Sequence, residues 1–399
     1  MPAAPPEPGF DLSPLLQHRH VAVAVSGGSD STALMHLVAD WATGLLSPPQ
    51  VSILTVDHGL RAASDSEARM VRERAGALGF DHHILRWEGP KPVSALQARA
   101  RDARYRLMAG WCRAAGAGML LTAHTLDDQA ETVLMRLQRT DSPWSLAGIP
   151  IEGQWDGLRL YRPLLKVRRA WLRASLAARG EDWIDDPSNA DPRFERVRAR
   201  TGLEALGRAG ISVERLAGLS ETSARTAALL EQCARRWIGL HVAEGDAGLC
   251  HVSGNAILAL PAALQQRILL LIVSHYGGGG SRPEPHELRR LAEWVRSGPV
   301  RCTLGGAVLG RRKESFWVTR EAGRIARMPL RIMGEGAVVW DGRFLIEAPE
   351  GSIVTQSGDD PPDLGESIPI HARRAYPSVH RPAGSEQPVR VTFVRLSPS

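Results

Sequence analysis

Val21-Ala-Val-Ala-Val25-Ser26-Gly27-Gly28-Ser29-Asp30-Ser31 decides how this chain is read. Val21 to Val25 is an apolar, β-branched run of the kind that fills a central parallel strand. Thr32, Ala33, Leu34, Met35, Leu37 and Val38 then carry on with helical character. The loop between them therefore lies at a strand's carboxyl end and a helix's amino end. Unpaired N–H groups and the helix dipole favour an anion there, and Gly27 and Gly28 let the backbone approach phosphate oxygens with no Cβ in the way. Ser26, Ser29 and Ser31 add hydroxyl donors, and Asp30 is placed to hold the magnesium ion (Mg2+) that travels with ATP. The competing reading is a plain strand-turn-helix with Ser29 or Asp30 as its N-cap. The spacing gives neither GxxxxGK[ST] nor GxGxxG, which disfavours P-loop kinases and dinucleotide enzymes.

Outward from this loop the chain alternates. Val51 to Val56, His82 to Arg86 and Met119 to Thr122 read as further strands, with amphipathic stretches between them. The pattern predicts an α/β fold, a parallel sheet with helices on both faces, whose ligands sit at the carboxyl ends of the strands. Candidate site residues fall at those ends. Strand two runs into Asp57-His58-Gly59-Leu60-Arg61, and strand four into His124-Thr-Leu-Asp127-Asp128-Gln-Ala-Glu131. Asp127 and Glu131 share one face of a helix start with Asp128 beside them. Two acids one turn apart can grip an ammonium group, or simply satisfy the helix dipole. His124 is either a substrate-facing group or a satisfied turn histidine.

The basic residues are open to two readings as well. Arg101 and Arg104 are helical neighbours, and Arg162 precedes Pro163-Leu164-Leu165; each is either a site residue or a solvated surface cation. Arg193, Arg196, Arg198 and Arg200 follow the polar turn Trp183 to Asn189 and form a row able to neutralise nucleic-acid phosphates, against the alternative of a solvated helix.

At 399 residues the chain has room for two or three domains. No stretch has the apolar length to cross a bilayer, and Met1 to Pro8 lacks the blocks of a signal peptide, so a cytoplasmic location is expected. Cys112, Cys233, Cys250 and Cys302 lie far apart, which indicates neither a zinc knuckle nor a disulfide framework. A net charge of +6, carried almost wholly by arginine, suits a polyanionic partner or reflects a GC-rich genome. Beyond residue 200, Leu203 to Trp237 and Ala256 to Tyr276 read as helices with no strand between them. A tetraglycine, Gly277 to Gly280, follows. Pro285 to Arg296 then reads as helix, and Cys302 to Leu309, Ser315 to Thr319 and Ala337 to Ala348 as short strands. The proline-, serine- and glycine-rich tail from Gly351 is expected to be partly disordered.

Together, SGGSDS at 26, VDHGLR at 56, ARDARY at 100, TAHTLDDQAET at 122, RPLL at 162 and DDPSN at 185 stand in the order of the tRNA(Ile)-lysidine synthetase family, which the first half of the chain resembles. SGGSDS is similar to the PP-loop of the ATP pyrophosphatases. The resemblance implies a PP-loop, adenine nucleotide alpha hydrolase-like catalytic domain over 1–205, a helical tRNA-binding region over 206–280 and a small mixed α/β region over 281–399. It implies ATP-dependent joining of free L-lysine to position two of the wobble cytidine of tRNA(Ile) with a CAU anticodon, through an adenylated intermediate. It further implies that tRNA, and neither DNA nor a membrane, is the partner. Ser26 to Ser31 would hold pyrophosphate and Asp30 the magnesium. Asp57 and His58, with Arg61, would lie beside the nucleotide. Asp127, Asp128 and Glu131 would orient lysine, and Arg101 and Arg104 would face phosphate or the lysine carboxylate. The chain departs from the family pattern at Arg139 to Trp144, where a glycine-rich stretch is usual, and at Val197, where an asparagine is usual. A tRNA thiolase and an inactive tRNA-binding relative are the alternatives. Sulfur transfer calls for a reactive cysteine near the site, and only Cys112 lies in the α/β part.

Overall fold

The computed structural model describes residues 9–59, 64–89, 96–140, 142–185, 191–245, 247–278, 283–326, 328–334, 336–365, 368–394 and 396. Arg61, Asp141 and the Asp186 to Asn189 part of the DDPSN segment lie outside the described residues.

The chain divides into two compact units, Met1–Ala227 and Ala228–Ser399. In the first, β1 (His20–Ala24), α1 (Ser29–Thr43), β2 (Gln50–Asp57), α2 (Ser64–Ala77), β3 (Asp81–Arg86), α3 (Leu96–Ala115), β4 (Met119–Leu121) and α4 (Leu126–Leu137) alternate as the sequence pattern requires. A short α5 (Pro143–Leu146), a hairpin of β5 (Glu152–Trp155) and β6 (Leu158–Tyr161), α6 (Arg169–Ala178), α7 (Glu195–Arg208) and α8 (Val213–His241) follow, the last of which belongs to the second unit from Ala228 on. The sheet order is β3-β2-β1-β4-β6-β5. Every pairing is parallel except that of β5 with β6, so the parallel sheet carries one antiparallel edge strand.

Strand alternation builds a core on each face of this sheet. Val21, Val23, Met119 and Leu121 point to one side, where Leu34, Met35 and Val38 of α1 and Leu172 and Leu176 of α6 cover them. Ala22 and Leu120 point to the other, against Tyr105, Met108, Ala109 and Cys112 of α3. At β1 the winding reverses, since β1 pairs with β2 on one side and β4 on the other. A crevice opens outside the carboxyl ends of two strands at such a reversal. The two strands here are those that lead into SGGSDS and into His124 to Glu131.

The second unit is built on a five-stranded antiparallel sheet of β7 (Val242–Gly245), β8 (Leu249–Ser253), β9 (Arg301–Leu304), β10 (Ala307–Arg312) and β11 (Ser315–Arg320). Helices α9 (Gly254–Leu258), α10 (Ala262–Tyr276), α11 (Pro285–Ser297) and α12 (Ile370–Arg374) accompany it. Strands β12 (Leu330–Arg331), β15 (Ile353–Gln356) and β16 (Pro377–His380) form one three-stranded sheet, and β13 (Ala337–Trp340), β14 (Phe344–Glu347) and β17 (Arg390–Phe393) another. Three expectations change here. Strands β7 and β8 lie between the two long helices, where none was expected. The region 206–280 is not a unit of its own, because Ile268, Leu269, Ile272 and Val273 of α10 share one core with Leu309, Phe316 and Val318 of the sheet. Among the described residues beyond Gly351, strands β15, β16 and β17 form, and Val354 and Phe393 are buried in that same core. No helix of the described residues is long and apolar enough to cross a membrane.

Candidate active site

The loop after β1 is held open by its own hydroxyls. The Ser26 N–H donates to Ser31 Oγ at 3.1 Å, Ser31 Oγ donates to the Gly28 carbonyl at 3.1 Å, and Thr32 Oγ1 donates to the Gly27 carbonyl at 3.2 Å. Gly28 is the N-cap of α1 and gives it no side-chain hydrogen bond. The first N–H groups of α1 thus start at the mouth of the crevice, where an anion satisfies them. Gly27 has φ +84°, and a Cβ there would stand 2.3 Å from Ile184 Cδ1, so both conformation and space call for glycine. The Ile184 N–H donates to the Gly27 carbonyl at 2.9 Å and fixes that contact. Gly28 differs: it is extended, at φ −71°, and the nearest atoms to an added Cβ lie 3.8 Å away.

Across the crevice α4 opens with a capping box. Thr125 accepts from the Asp128 N–H, while one Asp128 oxygen, Oδ2, accepts from the Thr125 N–H at 2.8 Å. The other oxygen, Oδ1, faces Arg169 Nη2 at 3.2 Å and Arg196 Nη1 at 3.8 Å. Glu131, one turn on, is fully buried. Its Oε1 accepts from Arg200 Nε at 3.0 Å and Arg169 Nη1 at 3.3 Å, while Oε2 has no hydrogen-bond partner and faces Arg196 Nε at 3.9 Å. The arginines come from two directions. Leu203 of α7 and Leu216 of α8 pack on Ala130, which lays Arg196 and Arg200, one turn apart, over the α4 acids. The arginine row, open to a phosphate-binding or a solvated reading, is thus largely engaged within the protein. Arg193 pairs with Asp191, and Arg198 donates to the carbonyls of Pro192 and Arg193.

Arg169 is the residue that the sequence reading missed. Its Nε donates to Asp30 Oδ2 at 2.8 Å, so a single guanidinium touches the loop acid and both inner acids of α4. Burial pushes the Asp30 carboxyl above its ordinary value, and Arg169 pulls partly against this. Asp127 stands at the start of α6: its Oδ2 accepts from the Arg169 N–H at 2.7 Å, and Arg168 Nε lies 3.3 Å from the same oxygen. The Leu126 N–H donates to the Val167 carbonyl at 2.9 Å, tying the starts of the two helices together.

The remaining candidates line the flanks. His124, at the end of β4, places Nδ1 2.9 Å from Thr122 Oγ1, and burial lowers its pKa to about 4, so the ring is neutral at physiological pH. Arg162 is buried and donates to the Pro150 carbonyl at 2.8 Å. Arg104 is half-buried and Arg101 exposed; their guanidinium carbons sit 5.8 and 5.1 Å from the Tyr105 ring centroid. Asp57, the last residue of β2, accepts the Gly59 N–H at 2.8 Å, and the His58 ring meets Trp87 edge-on. The segment that follows Trp144 is tied to α4: Arg136 donates to the carbonyls of Ser145 and Gly148 at 2.6 and 2.9 Å, and Gln129 bridges both backbone groups of Ile149. Cys112 is buried, and burial raises its thiol to about 12. A thiol so shifted is a poor source of thiolate, which speaks against the thiolase reading.

The family described as "PP-loop domain" matches residues 10–205. A tRNA(Ile)-lysidine synthase of Methylobacterium nodulans is 43% identical over 299 residues, which cover 72% of this chain and 86% of that protein. The chain belongs to the tRNA(Ile)-lysidine synthase family. A family member from Rhodopseudomonas palustris is likewise 43% identical over 305 residues, 72% of this chain and 87% of that one. The Rhizobium meliloti enzyme is 36% identical over 365 residues, reaching 87% of this chain and 77% of its own. Among solved structures, the U34-tRNA thiolase NcsA from Methanococcus maripaludis, with its [4Fe-4S] cluster, has a TM-score of 0.43 at 16% identity over 53% of this chain and 72% of that chain, too slight a likeness to argue from.

Among the described residues no cluster of three or more His, Cys, Asp or Glu is placed to hold a metal ion by itself. Asp30 is the carboxylate on the phosphate-type loop. One carboxylate fits a magnesium ion that arrives on ATP, because Mg2+ commonly takes one or two carboxylates together with phosphate oxygens and water.

Proposed function

We propose that this enzyme uses ATP to join L-lysine to position two of the wobble cytidine in the CAU anticodon of tRNA(Ile), working in the cytoplasm. The reaction has two balanced steps. The C2 carbonyl oxygen attacks the α-phosphorus of ATP and pyrophosphate leaves; the lysine ε-amine then attacks C2, and AMP leaves with the oxygen. The loop from Ser26 to Ser31 and the free N–H groups of α1 receive the leaving phosphates, where fixed donors stabilise charge as it grows. Asp30 would hold Mg2+, which neutralises phosphate charge when bound. Arg101 and Arg104 are assigned to phosphate or to the lysine carboxylate. Asp128 and Glu131 are assigned to the lysine ammonium, with neutral His124 beside them. Asp57 and His58 are assigned to the nucleotide side.

The observation that carries this reading is the convergence of Asp30 from one strand end and Asp128 and Glu131 from the other onto one cation. A nucleotide half and an ammonium half thereby open onto the same crevice. Purified protein with ATP, magnesium, labelled lysine and a tRNA(Ile) transcript bearing CAU is expected to label the tRNA and release pyrophosphate. Labelling without ATP, or equal labelling of a UAU transcript, would overturn it.

A further inference from the structure

Arg169 occupies the place where two ligands of opposite charge would meet. Its side chain is only 17% exposed, and its three nitrogens are shared among Asp30, Asp128 and Glu131, whose side chains are 20%, 11% and 1% exposed. Arg196 and Arg200 also reach the α4 acids, and Arg173 donates to Ser29 Oγ at 3.3 Å, but among these arginines Arg169 alone bridges Asp30 to Asp128 and Glu131. Its backbone is fixed by Asp127, so the guanidinium can redistribute among these partners without moving α6.

We propose that Arg169 is a positioning residue that masks the lysine carboxylates until nucleotide binds. This rests on the functional reading above. A guanidinium and a lysine ammonium compete for the same oxygens of Asp128 and Glu131, and with Arg196 and Arg200 already on these acids a further cation adds repulsion unless Arg169 yields its place. When ATP arrives with its metal, Asp30 is claimed by the metal and a polyphosphate appears on the Asp30 side of Arg169. A polyphosphate offers the same bidentate geometry with more negative charge than one carboxylate, so the guanidinium shifts towards it and gives up its own places on Asp128 and Glu131 to lysine. Nucleotide therefore precedes lysine. By linkage, each ligand strengthens the other by the same factor.

The test measures lysine binding to the full chain by calorimetry, with and without magnesium and an ATP analogue that has a methylene bridge between its α and β phosphates. For the unaltered protein the expected result is lysine affinity at least tenfold higher with the analogue, and analogue affinity raised equally by lysine. For Arg169→Gln, lysine binds more tightly than normal without nucleotide, and the coupling falls below twofold. Arg169→Lys keeps a cation in the fold but cannot bridge, and its coupling falls below threefold. Equal lysine affinity with and without the analogue in the unaltered protein overturns the proposal, as does undiminished coupling in either variant. Failure of the analogue or of lysine to bind at all would instead overturn the functional reading on which it rests.

Discussion

The two glycines of the loop separate folding from ligand binding, and substituting each by alanine tests both. At Gly27 an alanine must adopt φ +84°, which costs about 1–2 kcal/mol for an L-residue. Its Cβ would also stand 2.3 Å from Ile184 Cδ1. That atom is the free end of a side chain, so the contact is relieved by a shift, at the ~1–3 kcal/mol typical of an overpacked core. Gly27→Ala should therefore destabilise the first unit by about 2–5 kcal/mol, or roughly 5–15 °C in melting temperature for a unit of this size. Ile184→Val removes the clashing methyl, so Gly27→Ala with Ile184→Val should retain only the backbone part. Gly28→Ala meets nothing closer than 3.8 Å at an ordinary φ of −71°, and stability should stay within about 0.5 kcal/mol or rise slightly. If phosphate approaches the backbone at this point, however, the new methyl lies in its path, and ATP affinity should fall at least tenfold in calorimetric titration. A Gly28→Ala protein that melts normally and binds ATP normally would refute the assignment of this loop to the phosphates.

Two further outcomes follow from the acid cluster and the buried histidine. Glu131→Gln removes the charge that faces Arg169, Arg196 and Arg200, so it should cost about 1–3 kcal/mol of stability and raise the lysine requirement at least tenfold, while pyrophosphate release from ATP and tRNA continues. A variant in which only ATP affinity changes would exclude Glu131 from the lysine half. His124 has a folded pKa of about 4 against an unfolded value near 6.5, so between those values the unfolded chain binds the proton more readily. Stability should accordingly fall as pH drops through that window, by about 3 kcal/mol in all, and His124→Gln should remove this part of the slope in urea titrations. An unchanged slope would mean that the ring is not neutral in the fold.

Local signals made half of this site legible. The run Val21 to Ser31 announces strand, loop and helix in one stretch, and the first-turn acids Asp127 and Asp128 announce the start of α4. The hairpin of β5 and β6 and the pair β7 and β8 escaped because none is a continuous apolar run like Val21 to Val25 or Met119 to Leu121, and four or five residues are too few for alternation to declare itself instead. What their neighbours supply is a matter of sheet pairing, and sheet pairing is not local.

Arg169 escaped for a sharper reason. Its acidic partners are 139, 41 and 38 residues away in the chain, so no spacing rule brings them together, and an arginine in a chain so rich in arginine draws no notice. One physical anomaly was nevertheless present. Arg168 and Arg169 stand at the N-cap and first turn of α6, where the helix dipole opposes positive charge and an acid would be the ordinary choice. Two cations against the dipole require carboxylates from elsewhere in the fold to compensate them. β4 is the strand beside β6 in the sheet, and the helix start at its carboxyl end is that of α4, rich in acids with Asp127, Asp128 and Glu131. The misplaced charge in the sequence thus points to the contact that the structure reveals, and a basic pair at a helix start in a relative of this chain calls for the same search.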